Sequence, residues 1–182
     1  RCRIYIVMGK TDPAGPKHRA QSMLLVPAAT PGVKVIRPLT VLNSDDAPHG
    51  HAEVVFENVE VSRERVLGTP NEAWPDVAWM IDVARSLASV ELVGFGQKAL
   101  DMTVDYIGYR EAFVRPIGTF PAAQHPCANM ATLLEGARWA AYEAVWRLSE
   151  GHEAGFHAAV AKAAASNAGR EVTILAHQLH GG

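Results

Sequence analysis

Two histidines, His177 and His180, stand three residues apart in HQLHGG, the last six residues of the chain. On a helix that spacing puts two imidazoles on one face, a geometry open to a metal ion. The zinc-protease arrangement needs i,i+4 with a Glu between, and that pattern is absent. The pair therefore reads as a helix end, with His near the negative pole and Gly as the stop. DDAPHGH, from Asp45 to His51, offers two carboxylates and two imidazoles. Its spacing matches no metal site, and Pro48-His49-Gly50 is ordinary turn chemistry. Asp82 and Arg85 lie one helical turn apart. Such a pair is a solvated i,i+3 ion pair, or it presents a charge and hydrogen-bonding groups to a ligand. Glu91 interrupts the apolar run SLASVELVGF, seven residues after Ala84. Buried, it would suit a general base; snorkelling or a paired neighbour is the alternative. YREAFVRPIG sets Arg110 and Arg115 in a loop directly after a helix. Arginine so placed binds phosphate or carboxylate in a fork.

These residues need elements to hold them. Residues 1 to 68 read as β structure, in four runs rich in β-branched residues: IYIVM, SMLLVP, VKVIRP and AEVVFENVEV. Turn formers separate them, and Val54, Phe56, Val59 and Val61 alternate imperfectly with polar residues, as in a half-buried antiparallel strand. Four strands leave raw edges that call for partners, and those partners are expected upstream. From Pro75 the pattern becomes helical. A first helix is expected to run to Tyr109, with Met80, Ala84, Leu87, Val90 or Leu92, Val93, Leu100, Val104 and Ile107 at three- and four-residue steps. Gly94 and Gly96 inside it predict close packing against another helix. A loop, REAFVRPIGTFP, leads to a second helix from Ala122 to Glu150, stopped by Gly151, and a third from Ala154 to His180. Short connections make neighbours antiparallel. The expected fold is α+β: a partial antiparallel β-barrel or sandwich, residues 1–68, then an antiparallel helical bundle, residues 69–182, that lacks its last helices.

Composition narrows the function. The chain has 182 residues, 48% of them hydrophobic, enough for a sizeable core, and a net charge of -2 with no basic block. Nucleic acid is not an expected partner. Cys2 and Cys127 form no ligand pattern and read as reduced thiols, with one bridge as the alternative. No apolar run approaches the ~20 residues of a membrane span, and no signal peptide is visible. A start at Arg, directly before a strand, suits a processed chain or a piece of something longer.

The order of the segments resembles a known family. EVVFENVEVSRERVLG, a long helix, REAFVRPIGTFPAAQHPCANM and AKAAASNAGREVTILAHQLHGG together resemble the acyl-CoA dehydrogenase family along essentially the whole chain. The stretches TDP…HRAQSMLLVPAATPGVKV and DDAPHGHAEVVF look like its middle β-domain in the form seen in long-chain members. The helical part is more like bacterial members that pair non-identical subunits. The resemblance implies FAD, bound where subunits meet, and a reaction that takes an α-proton and a β-hydride from an acyl-CoA thioester. It implies that Arg110 clamps the flavin pyrophosphate beside Phe113. It implies that Gln178, Gly181 and Gly182 touch the ADP part, and that Asp82 and Arg85 contact the CoA part of the substrate. A dimer or tetramer and an electron-transfer flavoprotein are the implied partners. The implied location is cytoplasmic for a bacterial protein, and the mitochondrial matrix or peroxisome for a eukaryotic one.

Several positions depart from the family pattern. Val114 stands where Gly is common after the Phe, and Pro121 where Gln is common. The usual catalytic Glu lies beyond the HGG turn. Some members carry it on the first helix instead, at the position of Ala84, which cannot abstract a proton. Glu91 lies roughly 10 Å farther along that helix. The catalytic base is therefore unknown. Two readings follow: part of a complete dehydrogenase subunit, or a non-catalytic partner in a heteromeric enzyme. A third is a related flavoprotein acting on a substrate other than CoA thioesters.

Overall fold

The computed structural model describes residues 2–16, 18–44 and 50–181. They fall into two compact units, Arg1–Val77 and Ala78–Gly182.

The first unit is built from the four expected strands. β1 (Ile4–Lys10) pairs antiparallel with β2 (Gln21–Pro27), in unbroken register from Ile4↔Pro27 to Lys10↔Gln21. β3 (Val33–Leu39) pairs antiparallel with β4 (His51–Phe56), with an irregularity between Val35 and Arg37. A short strand, β5 (Val66–Leu67), closes on the other side of β2. The order β1-β2-β5 explains why β2 carries the buried Ser22, Met23 and Val26: it is the central strand. Ser22 is satisfied there, sharing a 2.7 Å hydrogen bond with the Thr11 hydroxyl and accepting the Asn71 N–H at 2.8 Å. The sheets are small and antiparallel and close no barrel among the described residues. The run expected as one strand from Ala52 to Val61 stops at Phe56, because Asn58 takes a φ of 51° and turns the chain. Gly32 is obligatory in the turn before β3. Its φ is +91°, and a Cβ there would lie 2.1 Å from the Glu57 carbonyl oxygen.

The second unit is helical. α1 (Trp74–Tyr109) begins in the first unit and continues through the second; α2 (Pro121–Ser149) and α3 (Gly155–His180) complete it. Pro75 lies in the first turn of α1 and Pro121 opens α2, where a missing N–H costs nothing. Gly151, at a φ of 71°, follows α2, and Gly181, at 90°, caps α3 in the left-handed conformation. Two buried clusters fix the packing. Val93 meets Ala137, Ala165 and Ala168; Leu100 meets Met130, Leu134 and Val172. Moving from Val93 to Leu100 goes down α2 and up α3, so α2 is antiparallel to both its neighbours. Each large side chain so buried contributes about 1.5–3 kcal/mol. Arg138 adds a polar tie, donating to Gln97 on α1 at 2.7 Å and to Glu135 at 3.0 Å.

The inner face of α1 is only partly the one that apolar spacing predicts: Val93, Leu100 and Ile107 are buried as expected. Met80, Leu87 and Val104 are about half exposed, whereas Ser86, Ser89, Gly96 and Thr103 are buried with Val93, Leu100 and Ile107. Small residues allow close approach, and the hydroxyls cost little because each donates to its own helix. Ser86 bonds the Asp82 carbonyl, Ser89 that of Arg85 and Thr103 that of Ala99, at 2.6–2.8 Å. Of the two glycines expected to pack closely, Gly96 does so: a Cβ there would lie 2.5 Å from Leu134 Cδ2. Gly94 does not, since nothing lies within 4 Å of its would-be Cβ.

Candidate functional site

The helical unit gathers uncommitted polar groups at one end. α1 and α3 run parallel, so both finish there. Their ends are tied by the Tyr106 and His180 rings, stacked 4.3 Å apart at 13°. Arg110 leaves α1 one turn beyond Tyr106, its N–H donating to the Tyr106 carbonyl at 2.9 Å. Its side chain is exposed and makes no ion pair or hydrogen bond among the described residues. Gln178 is likewise exposed, with its side-chain amide unbonded among those residues. Gly181 donates its N–H to the Gln178 carbonyl at 3.2 Å, and its would-be Cβ faces open space. Between the two helices lies an open groove of about 520 Å³, lined partly by Met102, Ala176, His177 and His180. The donor set is a free guanidinium, a free amide and a glycine turn that backbone and ligand can approach closely. That chemistry fits a phosphate-bearing cofactor such as FAD. Gly182, the last residue assigned to this site, lies outside the described residues.

The segment between α1 and α2 is a hairpin where the sequence suggested a loop. β6 (Glu111–Ala112) pairs with β7 (Arg115–Pro116) across Phe113 and Val114. Both turn residues have positive φ, 51° and 68°, as a two-residue type I′ turn demands and as Asn-Gly supplies without strain. Val114 is β-branched, so it holds a conformation that costs of order 1–3 kcal/mol. Phe113 and Val114 are 88% and 100% exposed, so the tip is an apolar projection and not a packed turn. The two arginines of this segment differ. Arg115 sits over the Phe120 ring, 4.1 Å from its centre, whereas Arg110 is left for another partner. Gln124 donates to the Gly118 carbonyl at 2.9 Å and fastens the hairpin's exit to α2.

The other candidates are distributed elsewhere. Asp82 and Arg85 form the expected i,i+3 pair at 3.6 Å. Asp82 also faces the start of α3: a Cβ on Gly155 would lie 3.2 Å from its carboxylate. A carboxylate suits the positive pole of that helix, which has no side-chain cap of its own. Glu91 is exposed, so burial does not prepare it as a base, and Ala84 is exposed as well. No cluster of three or more metal-ligating side chains occurs among the described residues. Asp45 to His49 lie outside those residues, and His51 opens β4. Both cysteines are free, and burial pushes the Cys127 thiol pKa up. No helix is long and apolar enough to cross a membrane, among the described residues. Tyr106 was missed from sequence. Its signal was an aromatic one turn before Arg110, indistinguishable there from a core residue.

A model of the acyl-CoA dehydrogenase C-terminal domain matches residues 71–182. The chain belongs to the acyl-CoA dehydrogenase family. This acyl-CoA dehydrogenase chain is 37% identical over 183 residues to "Probable acyl-CoA dehydrogenase IBR3" of Arabidopsis thaliana, covering 100% of this chain and 22% of that protein. It is similar in structure to butyryl-CoA dehydrogenase from Megasphaera elsdenii, with a TM-score of 0.86 and 29% identity over 99% of this chain and 46% of that one. A glutaryl-coenzyme A dehydrogenase complex with glutaryl-CoA gives a TM-score of 0.86 and 30% identity, covering 100% and 45%. The chain thus spans less than half the length of these relatives. The acyl-CoA dehydrogenase family is one of oligomeric flavoprotein oxidoreductases of fatty acid β-oxidation.

Proposed function

We propose that this chain is part of an FAD-dependent acyl-CoA dehydrogenase that introduces an α,β double bond into an acyl-CoA thioester. The division drawn from the sequence is kept, a β-domain portion to residue 68 and a helical domain from 69. One observation carries the reading. The Tyr106–His180 stack brings the ends of α1 and α3 together, with the side chains of Arg110 and Gln178 uncommitted among the described residues and the Gly181 turn open to close approach. In this reading Arg110 binds the cofactor pyrophosphate, Phe113 lies beside it, and Gln178 with Gly181 and Gly182 contacts the ADP part. Asp82 and Arg85 hold the CoA portion of the substrate, with Asp82 also orienting Arg85. When bound, FAD supplies the hydride acceptor. The α-proton requires a carboxylate, and none of the described candidates meets the need: Ala84 has no acid and Glu91 faces solvent. The base then comes from outside these residues. Electron-transfer flavoprotein is the proposed oxidant of the reduced cofactor. The proposed assembly is a homo- or hetero-oligomeric dimer or tetramer. The proposed location is cytoplasmic in a bacterium, or the mitochondrial matrix or peroxisome in a eukaryote.

A second reading, a non-catalytic partner subunit, draws on Val114 and on Pro121. Pro121 suits the start of α2, but it cannot offer the amide of the family's Gln. A related flavoprotein acting on a non-CoA substrate is the third. Anaerobic titration of the complete protein with acyl-CoA thioesters tests all three. Bleaching of the flavin absorbance supports dehydrogenation, and no bleaching at any chain length sinks it. Arg110→Ala is expected to lower the FAD-to-protein ratio after gel filtration; an unchanged ratio removes Arg110 from the site.

A further inference from the structure

We propose that Tyr106 and His180 form a positioning clip that holds the α3 glycine turn in register with Arg110, so that cofactor retention depends on two rings that need not touch the cofactor. The inference rests on the flavin reading above. The rings are close to parallel, 13° apart, with centroids at 4.3 Å, and Tyr109 lies edge-on to Tyr106 at 5.6 Å. Each residue that carries a ring is linked through its backbone to a cofactor candidate. Arg110 is bonded through its N–H to the Tyr106 carbonyl. His180 is the last residue of α3 and adjoins Gly181, whose φ of 90° sets the direction of the turn.

Leu175 and Ala176 of α3 still pack against the Leu100 cluster and Ile107 of α1 is buried, and the ring stack ties the ends at the last turn, next to the glycine turn. The last fully buried residue of α3 is Val172, eight residues before His180 and therefore about 12 Å away along the helix. Beyond it the helices border the open groove of about 520 Å³. The last turns of helices fray, and a shift of about 1 Å in a binding group is enough to lose much of its effect. The ring stack supplies a contact at the last turn itself, worth about a fivefold change in an equilibrium.

The test is an FAD titration of the complete protein, stripped of cofactor and followed by quenching of flavin fluorescence. Tyr106→Leu and His180→Ala are each expected to raise the FAD dissociation constant about fivefold. The double variant should be no weaker than either single one, because the two rings act as one unit. Tyr106→Phe, which keeps the ring, should restore binding to within about twofold of the parent. Parent-like affinity in both Tyr106→Leu and His180→Ala, beside weakened Arg110→Ala, overturns the clip and leaves the flavin reading standing. Parent-like affinity in all three, including Arg110→Ala, overturns both. Tyr106→Phe as weak as Tyr106→Leu assigns the effect to the hydroxyl and also overturns the clip. Should Tyr106→Leu fail to fold, His180→Ala at the exposed helix end decides together with Tyr106→Phe.

Discussion

The two units bury apolar side chains to very different degrees. In the helical unit the seam between α2 and α3 is lined with alanines, among them Ala141, Ala144, Ala158 and Ala161 at 0% exposure. Met130, Leu134 and Val172 fill the space toward α1. In the first unit Ile4, Ile6 and Met8 line one face of β1, and all three are more than half exposed. Val35 and Ile36 in β3 are similarly open. The helices bury one face within the same chain, while Trp79, Phe95, Trp139 and Phe156 remain more than half exposed. The sheets pair their backbones but leave much of their apolar surface without a partner among the described residues. The exposed faces of β1 and β3 therefore contribute little to stability, and the buried helical seam contributes more.

The largest effect should come from emptying the helical core. Leu134→Ala is expected to cost about 3 kcal/mol, and Ile6→Ala less than about 1 kcal/mol, measured by urea unfolding. Equal costs would break the contrast between the units. A finer test uses the two glycines of α1. Gly96→Ala should destabilise by about 1–2 kcal/mol, because the new methyl meets the Cδ2 of Leu134, a side chain only 1% exposed that must shift within the core. Gly94→Ala should instead stabilise by about 0.5–1 kcal/mol, since space is open and Ala favours the helix. The same sign for both would mean that Gly96 is not at a seam.

The hairpin is the helical unit's exception, strained and exposed where the rest is packed. Val114→Gly should raise stability by about 1 kcal/mol by relieving the positive φ, read as a higher thermal midpoint. No rise would show that the turn relaxes in solution. The smallest effect concerns the two thiols. The thiolate is the nucleophile, so a raised pKa leaves Cys127 with less of it at a given pH. Cys2 is exposed, and alkylation near pH 8 followed by peptide mass spectrometry should label it several-fold faster. Raising the pH should narrow the difference as Cys127 ionises; faster labelling of Cys127 would contradict its burial.

Much of the candidate site was legible because its residues are punctuation as well as chemistry. Gly181 ends a helix and Arg110 follows one, and both roles are local. The hairpin was read as a loop because Phe113-Val114 is the wrong chemistry for a type I′ turn. Only the paired strands reveal that these residues are forced into it. Glu91 drew interest as a polar residue in an apolar run, yet it lies on the outward side of α1.

The sequence by itself determined the four main strands, though not where the fourth ends, and the three helices with their ends to within a residue. Proline and glycine act through local backbone geometry, and so do the periods of two and 3.6. Tertiary structure decided which side of α1 faces inward. Apolar spacing favoured Met80 and Leu87, yet Ser86, Ser89 and Thr103 are buried, their hydroxyls satisfied by their own helix so that burial costs little. It also decided that Tyr106 and His180, 74 positions apart in sequence, stack at the same end. Such contacts depend on how the helices lie against one another, and no local pattern carries that information.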